Sequence, residues 1–154
     1  MTVDPELKSQ ECNCLALRQA ARYVTQFYDR HLAATQLRTT QFSVLAKLKR
    51  LGPMTINTLA AEMVMDRTTL GRNILPLERD GLIAIEQAES DRRSKKLYLT
   101  KAGAERLRRG RPLWVEAQKQ FEAALGGKHA ANLRALLRAV VSSGLGAPVP
   151  AANE

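Results

Sequence analysis

The sequence predicts a mainly α-helical fold with one small β-hairpin, and two observations support this class. Apolar residues recur every three or four positions over most of the chain, which is the spacing of a helix face. The spacing changes around 82–99, where two short β-prone segments flank a polar loop. The chain has 154 residues, of which 45% are hydrophobic and 25% charged, so it can bury a moderate core and is too apolar to be disordered throughout.

Apolar stripes predict the first two helices. The first spans about 12–34, with a stripe that runs from Leu17 to Leu32. The second begins near Thr39 and ends at the pair Gly52–Pro53, because glycine accepts the left-handed C-cap and proline cannot continue a helix. The inner stripe of the second helix comprises Phe42, Leu45, Leu48 and Leu51.

Two shorter helices are predicted next, each preceded by a polar capping side chain. Thr55 can cap a helix that ends near Met63, and Asp66 can cap a helix over 67–80 that Gly81 terminates. Two short helices joined by a tight turn are typical of a helix-turn-helix. The inner face of the second short helix comprises Leu70, Ile74 and Leu77.

A β-hairpin follows, with predicted strands over 82–86 and 96–99 and a charged loop over 87–95. Thr100 can cap the next helix, which Pro112 is expected to kink or divide. The order of helix-turn-helix and hairpin predicts a winged helix-turn-helix domain.

The terminal helices are predicted to pair with a second copy of the chain, because their apolar stripes exceed what a small core can cover. Gly126–Gly127 separates the last helix from the one before it. The predicted organisation is an N-terminal dimerisation helix over 1–36, a winged helix-turn-helix domain over 37–103, C-terminal dimerisation helices over 104–145, and a flexible tail over 146–154.

The charge of the chain is concentrated in one segment. The formal net charge is +9 and the sequence pI is about 10.1, yet residues 1–91 are neutral overall. Residues 92–111 carry a single acidic side chain, Glu105, and nine basic ones, which favours a polyanionic partner over a diffuse solvated surface. The basic side chains are Arg92, Arg93, Lys95, Lys96, Lys101, Arg106, Arg108, Arg109 and Arg111.

The predicted helix over 67–80 turns hydroxyls, an amide and guanidinium groups outward. Such groups suit base edges and phosphates in a major groove, and Gly71 leaves one flank low enough for close approach. The alternative is an ordinary solvated helix face. The candidate DNA-binding residues of this helix are Arg67, Thr68, Thr69, Arg72 and Asn73.

The hairpin loop supplies a second set of candidate DNA-binding residues. Arg93 is suited to a narrow, electronegative minor groove, and Asp91 beside it can orient the arginine. Lys95, a further cation of the same loop, completes the set of candidate DNA-binding residues.

At this point the sequence closely resembles the MarR family of dimeric winged-helix repressors over about 12–143. The motif Asp91-Arg92-Arg93, followed by Leu99-Thr100 and Gly103, resembles the family's wing signature, and the block 65–73 resembles its recognition helix. The resemblance implies a homodimer whose recognition helices enter consecutive major grooves of a pseudo-palindrome. It assigns Thr68, Thr69 and Arg72 to base or phosphate contacts and Arg93 to the wing tip.

The resemblance implies a sensing function of one of two kinds. Most members release DNA when a small aromatic or phenolic effector binds, and the sequence alone identifies no residues that bind it. Another branch senses organic hydroperoxides through a cysteine that Cys14 matches, with a tyrosine matched by Tyr28. Arg18 and Thr39 stand where that branch has further tyrosines. The alternative is that Cys12 and Cys14 are packing residues.

Other classes of function are disfavoured by residue usage. No arrangement typical of a nucleophile, paired carboxylates or a phosphate loop is evident, so no enzyme and no cofactor is expected. A metal site would need His31 or His129 beside the cysteines, and neither is close in sequence. The composition predicts a cytoplasmic protein without a membrane span. A non-specific DNA binder would spread its charge over the surface.

Overall fold

The computed structural model describes residues 11–87 and 95–146, which form six α-helices and three strands. One turn of 3-10 helix, Ala33–Thr35, lies between the first two α-helices. The elements in chain order are α1 (Asn13–Leu32), α2 (Thr39–Leu51), β1 (Met54–Thr55), α3 (Ile56–Met63), α4 (Arg67–Arg79), β2 (Ile83–Gln87), β3 (Lys95–Leu99), α5 (Lys101–Leu125) and α6 (Gly127–Val141). The mainly helical class with a small wing sheet is therefore confirmed.

The chain forms two compact units that divide within α5, between Val115 and Glu116. The first unit holds α1 to α4, the sheet and the beginning of α5, and the second holds the end of α5 and α6. No helix in 11–87 or 95–146 is both long and apolar enough to cross a bilayer. The domain boundaries expected at 36, 103 and 145 stay predictions.

The core of the first unit lies where α2, α3 and α4 pack against the sheet. The inner face expected for α4 is confirmed, because Leu70, Ile74 and Leu77 are buried. The stripe expected for α2 is wrong in its last member, since Leu51 in the final turn is 49% exposed. Val44, which the stripe omitted, is fully buried instead.

The wing is a three-stranded antiparallel sheet in the order β1-β3-β2, whereas the sequence predicted only a hairpin. The additional strand is the pair Met54–Thr55, whose partners are Leu97 and Lys96. The expected loop over 87–95 was too long, because Gln87 and Lys95 are paired with each other in β2 and β3. Both are exposed, and polar residues are ordinary on the solvent face of an antiparallel sheet, so polarity alone misplaced the ends of the strands.

Thr100 and Gly103 join the sheet to α5. The hydroxyl of Thr100 donates to the carbonyl of Gly81 (2.7 Å) and accepts from the backbone N–H of Gly103 (3.0 Å). A Cβ at Gly103 would overlap the carbonyl oxygen of Leu82. Glycine is therefore required where the first turn of α5 lies against the backbone between α4 and β2. The helix then continues past Pro112, so the expected division there is wrong; proline removes only one N–H donor from the helix.

The junction between α1 and α2 is held by three long-range or buried polar contacts. Asp29 in α1 accepts from the backbone N–H of Thr39 at the start of α2 (2.7 Å). Thr35 is 3% exposed, and its hydroxyl donates to the carbonyl of Leu32 (2.6 Å). Arg106 in α5 donates to the carbonyl of Thr35 (3.0 Å), so the junction is tied to the helix that follows the wing.

Candidate nucleic-acid interface

The N-terminus of α4 is fixed by Asp66, as the capping pattern predicted. One carboxylate oxygen accepts from the backbone N–H of Thr69 (2.8 Å) and the other accepts from the hydroxyl of Thr69 (2.8 Å). These two hydrogen bonds hold the pKa of the Asp66 carboxyl below its ordinary value of 3.8. The side chain is therefore an anionic N-cap at neutral pH, and it fixes where the first turn of α4 lies.

The outward face of α4 carries the polar side chains that the sequence placed there. Its apolar residues are buried in the core, so the helix cannot rotate without exposing them. Of the five candidates, Asn73 is half-buried and the others are exposed: Arg67, Thr68, Thr69 and Arg72.

Some of the hydrogen-bonding groups on this face already have partners within the protein, and others have none among the described residues. Neither Arg67 nor Arg72 forms a hydrogen bond or ion pair with any described residue. The amide nitrogen of Asn73 donates to the carbonyl of Thr69 (2.9 Å). A Cβ at Gly71 would meet no atom within 4 Å, so this flank of α4 is open. Guanidinium donors are thus available to an external ligand beside an open backbone.

The wing contributes one described candidate residue. Lys95 is exposed at the start of β3, opposite Gln87. Asp91 and Arg93 lie outside the described residues, so their expected contacts stay predictions.

The basic segment that follows the wing is partly engaged inside the protein. Arg106 is half-buried and bonds to the backbone of Thr35, and Arg108 forms an ion pair with Glu105 (Nε to Oε2, 3.0 Å). The hydrogen bond and attraction between Glu105 and Arg108 lower the pKa of the carboxyl and raise the pKa of the guanidinium. Arg109 and Arg111 are exposed. Two of the four arginines on this stretch of α5 therefore have partners within the chain.

A groove of about 1070 Å³ lies between α2 and the beginning of α5, and sequence reasoning did not find it. Its apolar wall includes Phe42 and Trp114, whose rings stack at 6.3 Å with an interplanar angle of 20°. Glu105 is the acidic residue of its lining, and the cations that line it are Lys49, Arg50, Lys101, Arg108 and Arg111. The groove therefore combines an aromatic surface with a strongly positive rim. The sequence did not indicate this groove, because its two aromatic residues, Phe42 and Trp114, are 72 positions apart.

The two cysteines lie at the start of α1 and are both free and exposed in the single chain. The alternative that they are packing residues stays a prediction, because α1 is the predicted N-terminal dimerisation helix. Cys12 is the N-cap of α1, where its sulfur accepts from the backbone N–H of Leu15 (3.4 Å). Tyr28 is buried in the later part of the same helix. No group of three His, Cys, Asp or Glu side chains suited to a metal ion occurs in the described parts of the chain.

Known proteins resemble this chain in sequence and in structure. Residues 37–95 match the model of the MarR family. The transcriptional regulator MosR of M. tuberculosis, whose structure was solved in complex with DNA, is 35% identical with a TM-score of 0.74, over 87% of this chain and 99% of that chain.

Two curated relatives are also similar over part of their length. YwoH of Bacillus subtilis, an uncharacterized HTH-type transcriptional regulator, is 31% identical over 69% of this chain. BadR of Rhodopseudomonas palustris, a transcriptional activatory protein, is 33% identical over 71% of this chain. The matched regions span 66% and 61% of the lengths of these two relatives.

These matches agree with the arrangement of the molecule. The family model covers α2, the helix-turn-helix and β2, and it ends at the first residue of β3. The likeness to MosR extends over the flanking helices. The chain belongs to the MarR family of winged-helix transcriptional regulators.

Proposed function

We propose that the protein is a homodimeric regulator that binds a pseudo-palindromic operator and represses transcription until a small aromatic effector releases it from DNA. The observation that carries this proposal is the outward half of α4. Its two guanidinium groups, Arg67 and Arg72, have no partner among the described residues, its flank at Gly71 is open, and its opposite face is buried in the core. A rigidly held set of donors is what direct readout of base edges requires.

In the proposed complex α4 lies in the major groove and the wing lies beside the adjacent minor groove. Arg72 and Arg67 reach guanine edges or phosphates, because guanidinium groups pair with both. Arg93 enters the minor groove with Asp91 as its orienting partner, and Lys95 contacts phosphate. The complex of MosR with DNA supports DNA as the partner of a chain of this fold.

The exposed apolar side chains of the N-terminal and C-terminal helices are proposed to be buried against a second copy of the chain. In α1, Leu15 and Leu17 are each 42% exposed, and in the unit that begins at Glu116, Leu136 is 66% exposed. Val140 and Val141 extend the exposed apolar face of α6. Apolar residues repeated along a helix face would be unfavourable in water, and two-fold pairing would present two copies of α4 to two half-sites.

The groove between α2 and α5 is the proposed effector site. An aromatic ring can pack on Phe42 and Trp114, and a carboxylate or phenolate can pair with Arg111 or Lys49 at the rim. Glu105, which lines the same groove, is next in sequence to Arg106, whose guanidinium donates to the carbonyl of Thr35 at the α1–α2 junction. In the proposed mechanism, a ligand in this groove shifts α5 relative to α2. Such a shift would change the distance between the two α4 helices of the dimer.

Selection from random duplexes tests the DNA-binding part of the proposal. The full-length protein should enrich a pseudo-palindrome whose half-sites are about one helical turn apart. Equal retention of all duplexes at physiological salt would contradict sequence-specific binding. A reporter placed behind the selected operator then distinguishes repression from activation, and lower expression in the presence of the protein is expected.

Fluorescence titration tests the effector site, because Trp114 is the single tryptophan of the chain. Aromatic carboxylates such as benzoate and salicylate should change its emission with saturation and should weaken operator binding. Arg111→Gln should weaken both effects, whereas Lys128→Gln, an exposed cation on α6, should leave them unchanged. Saturation that is identical in Arg111→Gln would remove this arginine from the site.

Thiol sensing is a second candidate function, favoured by the exposure of Cys14 at the start of α1. The thiolate would attack an organic hydroperoxide, giving a cysteine sulfenic acid and releasing the alcohol. Hydroperoxide should then abolish operator binding by the wild type and by Cys12→Ser but not by Cys14→Ser. Equal sensitivity of all three proteins would reject Cys14 as the sensor, and the pairing of Tyr28 with the partner's cysteine stays a prediction.

A further inference from the structure

We propose that Thr69 is a specificity-determining residue that reads an exocyclic amino group in the major groove, adenine N6 or cytosine N4, by accepting a hydrogen bond. The inference rests on the proposed function and names the bases that one residue of that interface selects. It follows from the direction of the hydrogen bond between Thr69 and Asp66.

The proton of the Thr69 hydroxyl is held by Asp66. The hydroxyl donates to one carboxylate oxygen at 2.8 Å, while the other oxygen accepts from the backbone N–H of Thr69 at 2.8 Å. A carboxylate is a charged acceptor, so the hydroxyl–carboxylate bond is stronger than a bond to a neutral base. Turning the hydroxyl proton toward DNA would also leave a carboxylate oxygen without its donor next to the phosphates.

The outward part of the Thr69 hydroxyl is therefore its oxygen lone pairs. A hydroxyl has one proton and two acceptor sites, and the proton is already committed. Phosphate oxygens, guanine N7 and O6, and thymine O4 are all acceptors and cannot pair with it. Only adenine N6 and cytosine N4 offer a donor at the floor of the major groove.

Asn73 offers a further acceptor one turn later on α4. Its amide nitrogen donates one proton to the carbonyl of Thr69 at 2.9 Å, which leaves its carbonyl oxygen and one N–H for an external partner. The two acceptors stand beside the free donors of Arg72 and Arg67. The face therefore presents both donors and acceptors, as direct readout of base edges requires.

Thr68 offers a matched control because it is the same residue type, one position earlier, on the same exposed face. Its hydroxyl makes no hydrogen bond with any described residue. It can therefore rotate and either donate or accept, which imposes no fixed preference on a base. Thr68→Val and Thr69→Val remove the same atoms from neighbouring positions.

The test uses the full-length protein and the operator obtained by selection, with base analogues that lack one amino group. Purine replaces each adenine in turn, which removes N6, and pyrimidin-2-one replaces each cytosine, which removes N4. Dissociation constants are measured for the wild type, Thr69→Val and Thr68→Val at one salt concentration. Circular dichroism and melting temperature confirm that each variant is folded.

One symmetry-related pair of positions should weaken wild-type binding by about fivefold or more when the amino group is removed, the lower end for a specific base contact. Thr69→Val should bind the analogue and the natural operator equally at that position. Thr68→Val should keep the wild-type ratio of the two dissociation constants, whatever its overall affinity for the operator. Asp66→Asn, which frees the hydroxyl proton, should tolerate guanine or thymine there.

Two results would overturn the inference. In the first, Thr69→Val weakens binding equally for every operator variant, which would make Thr69 a phosphate contact. In the second, the base coupled to Thr69 is guanine or thymine, which would make it a donor. Failure of the proposed function is distinct from both, because the wild type would then select no operator at all.

Discussion

The outward half of α4 and the beginning of α5 are both rich in polar and basic side chains, yet they differ in what those side chains do. On α4, Arg67 and Arg72 have no partner among the described residues. On α5, Arg106 and Arg108 are engaged with Thr35 and Glu105, which leaves two of the four arginines of that stretch, Arg109 and Arg111, exposed. A high density of basic residues in the sequence therefore does not by itself locate the DNA-binding surface. That surface is better indicated by side chains whose hydrogen-bond donors have no partner within the protein.

Glycine substitutions in these two regions give the largest expected difference. Gly103→Ala should lower the free energy of unfolding by at least about 2 kcal/mol, because its Cβ would overlap a backbone carbonyl of Leu82 that cannot move aside cheaply. Chemical denaturation of the purified variant measures this. An unchanged midpoint would show that α5 need not lie so close to the sheet.

Gly71→Ala is the matched control in α4, where the added methyl group meets open space. It should raise the free energy of unfolding by about 0.5–1 kcal/mol through helix propensity. At the same time it should weaken operator binding, because the flank would no longer admit close approach to DNA. Unchanged operator affinity would place this flank of α4 outside the interface.

Arginine substitutions sharpen the same contrast on DNA binding. Arg72→Ala should cost about 1–3 kcal/mol of operator affinity, as should Arg93→Ala in the wing, with the melting temperature unchanged. Arg108→Ala should cost much less, because that side chain is paired with Glu105. Fluorescence anisotropy with labelled operator measures all three. Equal losses for Arg72→Ala and Arg108→Ala would contradict the distinction between free and engaged arginines.

Arg106→Ala should affect stability more than DNA binding. The guanidinium is half-buried and donates to the carbonyl of Thr35, so its removal leaves a junction carbonyl without its charged donor. A loss of about 1–2 kcal/mol in the free energy of unfolding is expected from denaturant titration. Arg109→Ala, an exposed neighbour on α5, serves as the control and should be nearly neutral.

The pH dependence of the α4 cap is the smallest expected effect. The folded-state pKa of Asp66 lies below its ordinary value of 3.8, so its cap contributes stability above that value and loses it as the pH falls through the lowered pKa. The difference in melting temperature between the wild type and Asp66→Ala should therefore shrink from pH 7 to pH 3. A difference that stays constant over this range would mean that the carboxylate charge does not stabilise the cap.

Features set by neighbouring residues were the ones that the sequence could predict. The caps at Thr55, Asp66 and Thr100 all accept from the backbone N–H three positions later, so the residue type and its distance from an apolar run were sufficient. The buried face of α4 followed from helical spacing for the same reason. The ends of β2 and β3 were misplaced because exposed strand residues and loop residues are equally polar.

Features that depend on distant parts of the chain could not be predicted. Strand β1 has two residues and exists only through its pairing with β3, more than 40 positions later. The groove needs α2 and α5 together, and the contact of Arg106 with Thr35 joins residues 71 positions apart. The acceptor role of the Thr69 hydroxyl depends on the direction of its hydrogen bond with Asp66, and a threonine in a sequence can be either donor or acceptor.

The most direct test of whether α4, rather than α5, lies in the major groove is DNA cleavage by a chelated iron ion attached to one of these helices. In a Cys12→Ser/Cys14→Ser background, iron-EDTA is attached through Thr68→Cys or, as the comparison, through Arg109→Cys, and both proteins are bound to labelled operator. From the α4 position, strand breaks should cluster at two sites about one helical turn apart. From the α5 position, breaks should be weaker and lie outside the half-sites. Central cleavage from α5 together with none from α4 would contradict the assignment of α4 as the reading helix.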